Sequence, residues 1–567
     1  MATKAPKKGQ QGGKPRIGTA PKRRYPDLHD HLKTLAKEGL LVTVDRVIDK
    51  DTEMHPLVRW QFRGGIAEKD RKAFLFNNVS DAKGRRFSIP VAVGVLATNR
   101  EIYSIGMACD LDKIDETWNR AVAHPIAPKL VETAPCQEIV ITGKALDKPG
   151  QGLDGLPIPI STPGWDVSPY TTLSQYITKD PETGIQNMGI YRGQVKAPRR
   201  LGMNPSLELR PGIYGHWEKA KAKGKKLPAA VILGCPPCIA YTSAQKLPET
   251  MDELTVAGGL VGAPINVVKA KTVDLLVPAE AEIVIEGLIH TDELEPEAPF
   301  GESHGHVNLQ EYNAFMEVTA ITRRRDAILT SIISQVTPSE SSLIKRVALE
   351  PMMLAHLTNT LGIRGVKKVS MHEPLTNLRK VLVLVVDRKL PTTEIWRAMY
   401  GAAALHRAAG KYIIAVNDDI DPDNADALLW AMSYRANPLL DMHILPHRDQ
   451  GHGPRSHRNG GEDGSVLIDA TLKEPYPPVS LPKREYMERA KKIWEELGLP
   501  ALKPEQPWFG YSLGEWSEEF DEAAERAVKG DYFVTGEIIA QRRRKDVAMN
   551  TEIRDLKDEK ASAKKKK

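Results

Sequence analysis

The chain has 567 residues, 41% hydrophobic and 27% charged, too long for one ordinary core and too apolar for a disordered chain, so two to four domains are expected. Four cysteines exclude a disulfide framework and point to a reducing, cytoplasmic compartment; the longest strongly apolar run, Val381 to Val386, is strand-sized and excludes a membrane helix. The net charge of +6 sits at the ends: residues 1–24 carry +8 and 541–567 carry +6, which leaves 25–540 at −8 and argues against nucleic acid as a partner.

Residues 1–24, rich in Gly, Pro and Lys, form a basic tail with nothing to bury, expected to be disordered and without the apolar segment of a secretory signal. From Tyr25 the pattern becomes α/β. Leu28, Leu32, Leu35 and Leu40 fall near helical spacing, Leu41 to Val44 reads as a strand, and Ala73 to Phe76 and Ile89 to Gly94 continue a first domain over 25–125. Around Glu138 to Ile141 the chain turns β-rich. Ala229 to Leu233, Ile265 to Val268, Asp274 to Val277 and Glu282 to Glu286 are short strands punctuated by Gly and Pro, the spacing of a barrel or sandwich. A helical stretch after Glu340 leads to a third unit with the clearest local syntax. Val381 to Val386 is a buried-strand run, Pro391-Thr392-Thr393 starts a helix over Glu394 to Ala409, Gly410 stops it, and Tyr412 to Val416 is the next strand, a parallel crossover. Asp418 to Pro422 opens a further helix through Trp430. After Val479 come Glu- and Lys-rich amphipathic helices with Trp494, Trp508 and Trp516 among them.

Three segments carry chemistry-bearing residues. Cys235-Pro236-Pro237-Cys238 has redox or zinc spacing, but Cys109 and Cys136 supply no second pair and two prolines fill the middle, so a tight loop with two incidental thiols is expected. In the acidic stretch Glu293 to Glu302, two prolines and a glycine fix the loop and hold Glu297 and Glu302 in place, as acid–base chemistry requires; His304 and His306 follow at once. In Asn187-Met188-Gly189-Ile190-Tyr191-Arg192, the Asn is a neutral oxygen donor for a hard cation and the Arg suits a phosphate or carboxylate.

Taken in order, Asn187 to Arg192, Val277-Pro278-Ala279, Ala281 to Gly287, Glu297-Ala298-Pro299-Phe300-Gly301-Glu302 and Asn417 to Pro422 resemble the UbiD-type decarboxylases, which use prenylated FMN; the resemblance runs from about Tyr25 to Lys473. It implies an α+β multidomain fold: an N-terminal α/β domain (25–125), a split β-barrel that binds the flavin (126–320), a linking helix (321–350), a C-terminal α/β oligomerisation domain (351–478) and a helical extension with a basic tail (479–567). It implies reversible decarboxylation of an aromatic or α,β-unsaturated acid, aromatic acyl-CoA thioesters such as phthaloyl-CoA included. A flavin prenyltransferase would supply the cofactor, CO₂ would be exchanged, and the chain would assemble as a homodimer or hexamer. The alternative is a non-catalytic flavin-binding or scaffold subunit of a larger carboxylase complex.

Residue by residue, the resemblance gives Arg192 the flavin and the substrate carboxylate, Glu297 the role of its partner, and Glu302 that of general acid. Asn187 and Glu253 match two ligands of a divalent metal, Mn²⁺ or Mg²⁺, with K⁺ as a further ion. Ile190 and Tyr191 fall where backbone meets the flavin, and Lys411 matches a lysine that reaches its phosphate. The metal-binding histidine of the family is absent: the chain reads Glu208-Leu209-Arg210 there, with His216 shortly after. Either Glu208 replaces it as an oxygen ligand or Arg210 binds the phosphate directly. Ala298 stands where the family has glycine, which reduces backbone freedom at that point.

Overall fold

A computed structural model describes residues 22–204, 212–245, 247, 251–374, 376, 379–405, 410–449, 462–474, 476–503, 514, 516–543 and 549. Residues up to Thr471 form one compact unit and those from Leu472 a second.

The first domain begins with helix α1 (Leu28–Lys37). Its N-cap Asp27 accepts from the Asp30 N–H in a capping box, and Leu28, Leu32 and Leu35 form the buried stripe that their spacing predicts. Strands β1 (Leu41–Val44), β2 (Ala73–Phe76) and β3 (Val91–Val93) make a small sheet, with helix α2 (Met54–Arg63) between the first two. Its fourth strand comes from far away: Leu329–Ser331 pairs in parallel with β3. The domain is therefore not a contiguous 25–125 segment.

The middle of the chain folds into a nine-stranded half-barrel. Its strands are β4 (Ile139–Thr142), β5 (Tyr170–Thr171), β6 (Ser174–Lys179), β7 (Gln186–Ile190), β8 (Gly193–Ala197), β9 (Arg200–Met203), β10 (Leu227–Leu233), β11 (Ile283–Ile289) and β12 (Phe315–Arg323). They run in the order β7-β6-β10-β11-β12-β9-β8-β5, with β4 also on β12, and every pairing is antiparallel. Both faces of the central strands are covered. Along β10, Ala229, Val231 and Leu233 enter one core while Ala230 and Ile232 enter another shared with the first domain. Strand β7 is an edge, and helices α3 (Gly212–Ala222) and α4 (Glu253–Val261) lie against it.

The linking segment differs from the helix expected over 321–350. Residues 321–323 still belong to β12, 329–331 cross to the first domain's sheet, and the helix, α5, spans Glu340–Ala355. A Ser339–Ser342 capping box starts it. Its side chains tie the domains together: Glu340 Oε1 accepts from the Leu96 and Ala97 N–H groups (2.8 and 3.3 Å), and Arg346 donates to Asp423 (2.6 Å) in the third domain.

That third domain is a five-stranded sheet of β13 (Val366–Met371), β14 (Val381–Val386), β15 (Tyr412–Asn417), β16 (Met442–Arg448) and β17 (Asp463–Asp469), ordered β13-β14-β15-β17-β16. Strands β14 and β15 are parallel, joined through helix α6 (Thr392–Leu405), the crossover the local syntax predicts. Leu382, Leu384 and Val386 face one core and Val383 and Val385 the other, which is why this strand is an unbroken apolar run. The second unit holds helices α7 (Arg484–Glu496), α8 (Glu518–Val528) and α9 (Tyr532–Arg543); the first two are amphipathic, as expected, and bury no residue, whereas α9 does not separate an apolar from a polar face. Trp494 and Trp516 are described there, whereas Trp508 lies outside the described residues. No helix among the described residues is long and apolar enough to cross a membrane.

Candidate active site

Strand β7 ends at Ile190, and two residues later Arg192 projects between two carboxylates from the acidic loop. Its guanidinium holds Glu297 in a fork, Nε to Oε1 at 2.8 Å and Nη2 to Oε2 at 2.7 Å, while Nη1 donates to Glu302 Oε1. A bidentate arginine–carboxylate pair fixes both partners in direction as well as distance. The Arg192 and Glu297 side chains are 8% and 1% exposed and Glu302 is 16% exposed, so the acid keeps an opening that its neighbours lack. Burial alone would lower the Arg192 pKa, but its bonds to Glu297 and the charge of Glu302 raise it above the ordinary arginine value.

The surroundings hold this triad still. Asn204 and Asn313 both donate to Glu297 Oε2 at 3.4 Å, and Arg192 stacks over Phe300, 5.2 Å from the ring centre. Phe300 packs on Tyr170 (4.2 Å between rings), whose hydroxyl accepts from the Ala298 N–H at 3.2 Å. Ala298 sits at φ +74°, a left-handed conformation that disfavours a side chain, so the departure from glycine there is a strained one. Asp166 clamps the loop from outside, accepting from the Gly301 N–H at 2.8 Å and the Thr162 N–H at 2.7 Å. Arg59 reaches the same region through Gln335 (2.7 Å) and the Ser161 carbonyl (3.0 Å). Asp166, Arg59, Asn204 and Asn313 carry no motif.

At the other end of β7 the chemistry changes. Met188 turns its N–H outward from the sheet edge, and Glu253 Oε2, on the first turn of α4, accepts it at 2.7 Å. This brings Glu253 beside Asn187. Glu253 is 4% exposed and has no cationic side chain as partner among the described residues; burial pushes its pKa up to about 8, with Asp252 adding to the shift. His216 Nδ1 lies 2.9 Å from the hydroxyl of Thr178, the residue that faces Asn187 across β6 and β7. Glu208 and Arg210 lie outside the described residues, and no group of three or more His, Cys, Asp or Glu placed to hold a metal occurs among those described.

Ile190 and Tyr191 link the two ends. The Tyr191 ring meets Tyr176 edge-on at 5.8 Å, and its carbonyl accepts from the Ser174 hydroxyl at 2.6 Å. Lys411 stands apart from the triad: its ammonium pairs with Asp463 at 3.0 Å, at the start of β15. His304 bonds Asn308 (2.9 Å) on an open hairpin and His306 is exposed, so neither belongs to the cluster. Cys235 and Cys238 are buried free thiols whose pKa burial raises, to about 12 for Cys238, the inert pair the sequence suggests.

Residues 129–336 match the 3-octaprenyl-4-hydroxybenzoate carboxy-lyase Rift-related domain, and 343–470 match the C-terminal domain of the same enzyme family. The chain belongs to the UbiD family of carboxy-lyases. An uncharacterised protein of Aquifex aeolicus is 31% identical over 514 residues, covering 84% of this chain and 99% of its own. The UbiD-class enzyme HmfF of Pelotomaculum thermopropionicum, solved in complex with prenylated FMN, superposes with a TM-score of 0.70 at 28% identity, over 82% of this chain and 99% of that one. A 3,4-dihydroxybenzoic acid decarboxylase of Enterobacter cloacae gives 0.69 at 25% identity, over 82% and 99%.

Proposed function

We propose that this UbiD-family chain is a prenylated-FMN-dependent decarboxylase of aromatic or α,β-unsaturated carboxylic acids, aromatic acyl-CoA thioesters among the candidates, working reversibly. The observation that carries the reading is the single guanidinium of Arg192 bridging Glu297 and Glu302 in a mostly buried loop. A scaffold subunit has no use for that arrangement.

The residues fit the cofactor and its metal. Asn187 and Glu253 offer hard oxygen donors, and a buried carboxyl with no cationic side chain beside it among the described residues suits a divalent ion such as Mn²⁺ or Mg²⁺ beside a flavin phosphate. Glu208 or Arg210 would complete that end, with K⁺ as a further ion. Ile190, Tyr191 and Arg192 would line the flavin, with Lys411 reaching it from the third domain. When bound, the prenylated flavin supplies the electron sink that no side chain offers to the carbanion left by CO₂.

The protein's own part is positioning and proton transfer. Arg192, locked by Glu297, presents its remaining face to the substrate carboxylate, and Phe300 shields the pair from water. The bond between the ring or alkene carbon and the carboxyl carbon breaks, CO₂ leaves, and the electron pair stays on the carbon skeleton. Glu302, the most open of the three, delivers the proton that forms the new C–H bond, and Arg192 beside it steadies the carboxylate that results. In the carboxylation direction Glu302 takes the proton back.

Co-production with a flavin prenyltransferase, then absorption and mass spectra and a CO₂-release assay over a panel of such acids, tests this. A bound prenylated flavin and turnover of at least one acid are expected; a loaded protein inert towards the whole panel would overturn the reading. The family C-terminal domain also supports a homodimer or hexamer. Mass photometry that finds monomer alone at micromolar concentration would reject it.

A further inference from the structure

At one end of the half-barrel lies a pocket that the mechanism above does not use. Met203 closes β9, Ile289 closes β11 and Ala314 leads into β12. Helix α3 supplies Ile213, Tyr214 and Trp217, and these residues border a cavity of about 200 Å³. Met203, Ile213 and Ile289 are each 1% exposed, so the floor belongs to the protein core. Leu294 and Tyr312, 46% and 71% exposed, mark the side open to solvent. The Trp217 indole N–H is already used, donating to the His290 carbonyl at 2.8 Å, and the Tyr214 ring stacks with the indole at 6.2 Å. Neither Arg192 nor Glu302 is among the described residues of the lining, and no charged side chain is.

The pocket nevertheless touches the triad. Asn313, its one amide, donates to Glu297 Oε2 at 3.4 Å, and Tyr312 pairs with Pro296 in the ribbon that carries Glu297. The chemistry of the lining selects what enters. Water gains little from walls made mostly of hydrocarbon, whereas an apolar cavity of about 150 Å³ is enough for benzene. An anion would give up its hydration with no cation to meet it. Tyr214, Trp217 and Tyr312 offer ring faces and edges, and Met203 a thioether, all of which favour a further aromatic ring.

We infer that this pocket binds a neutral one-ring aromatic molecule, apart from the acid held at Arg192. On the decarboxylase reading that is the class of the product, an arene without its carboxylate, and the pocket places it one amide away from Glu297. The binding itself does not depend on that reading.

A fluorine NMR titration of fluorobenzene into the full chain at pH 7, with benzene, cyclohexane and benzoate as competitors, tests the inference. Fluorobenzene should bind saturably and be displaced by benzene, but not by an about tenfold higher concentration of benzoate. Ala314→Leu, which fills the floor, should weaken binding about tenfold or more. Tyr312→Ala, at an exposed position where folding is not at stake, should weaken it about threefold and decides the matter if Ala314→Leu does not fold. Absence of saturable binding overturns the inference, as does displacement by benzoate, which would put the ring beside Arg192. Binding that a folded Ala314→Leu chain retains, or that Tyr312→Ala leaves unchanged, overturns it too, and cyclohexane displacing as tightly as benzene overturns the aromatic choice. Nothing turns over in this titration, so aromatic binding by a chain that releases no CO₂ would reject the enzymatic reading alone.

Discussion

The two ends of strand β7 hold carboxylates of opposite character. At Arg192, Glu297 is as buried as any side chain in the protein, yet a guanidinium meets both its oxygens and two asparagines add further bonds. At Asn187, Glu253 is nearly as buried and has a backbone N–H but no cationic side chain among the described residues, and burial pushes its pKa up to about 8. Among the described residues the first cluster pairs its buried charge with a cation and the second does not. The two ends can therefore be disturbed separately, although only five residues divide Asn187 from Arg192.

Breaking the complete end should have the largest effect. Arg192→Met leaves Glu297 buried without its cation and should cost about 3–5 kcal/mol of unfolding free energy in urea titrations, along with all activity. Arg192→Lys keeps the charge but loses the fork, and should fall between that variant and wild type. A change below about 1 kcal/mol for Arg192→Met would mean that Glu297 does not depend on it.

Glu340 sharpens the comparison as a buried carboxyl with no ligand role. Its Oε1 too accepts from backbone N–H groups, those of Leu96 and Ala97, and burial raises it to about 7. A carboxyl raised in the folded state binds its proton more tightly there than in the unfolded chain. Its contribution is complete below about pH 4.5 and is lost as pH rises through about 7, on the order of 3 kcal/mol in all. Melting curves of Glu340→Gln against wild type should show the variant gaining relative stability over that window. A difference that does not change with pH would contradict the assignment.

Glu253→Gln should act in the reverse sense to Arg192→Met. With chelator present it should leave the protein unharmed or stabilise it by about 1–2 kcal/mol, since Gln still accepts from Met188 and replaces a carboxyl that must take up a proton to be buried. The rise in Tm that Mn²⁺ brings to wild type should vanish in the variant, by differential scanning fluorimetry. The smallest effect belongs to Ala298→Gly, which removes a left-handed alanine at φ +74°. Relief of that strain, partly offset by the freer unfolded chain, should add about 0.5–1 kcal/mol.

What the sequence reveals follows the range of the interaction. The β14–α6–β15 crossover is legible because caps, stops and apolar runs act over a few neighbours. Arg192, Glu297 and Glu302 are readable through the order of their motifs, since no local pattern shows that residues 105 and 110 positions apart share a hydrogen bond. Residues that speak only through the fold stay hidden. Asn204 and Asn313, which both bond Glu297, look like polar ends of strands. The linking segment is misjudged for the same reason: Leu329–Ser331 is a strand only because β3, more than two hundred residues earlier, offers it an edge.

The central claim, that Glu302 supplies the proton where CO₂ departs, is tested most directly by decarboxylation in D₂O with the flavin-loaded wild-type chain and Glu302→Gln, followed by mass spectrometry of the product. Wild type should yield product with one deuterium at the carbon that lost its carboxylate, while Glu302→Gln, still binding flavin, should yield none. Deuterated product from Glu302→Gln at the wild-type rate would contradict the account.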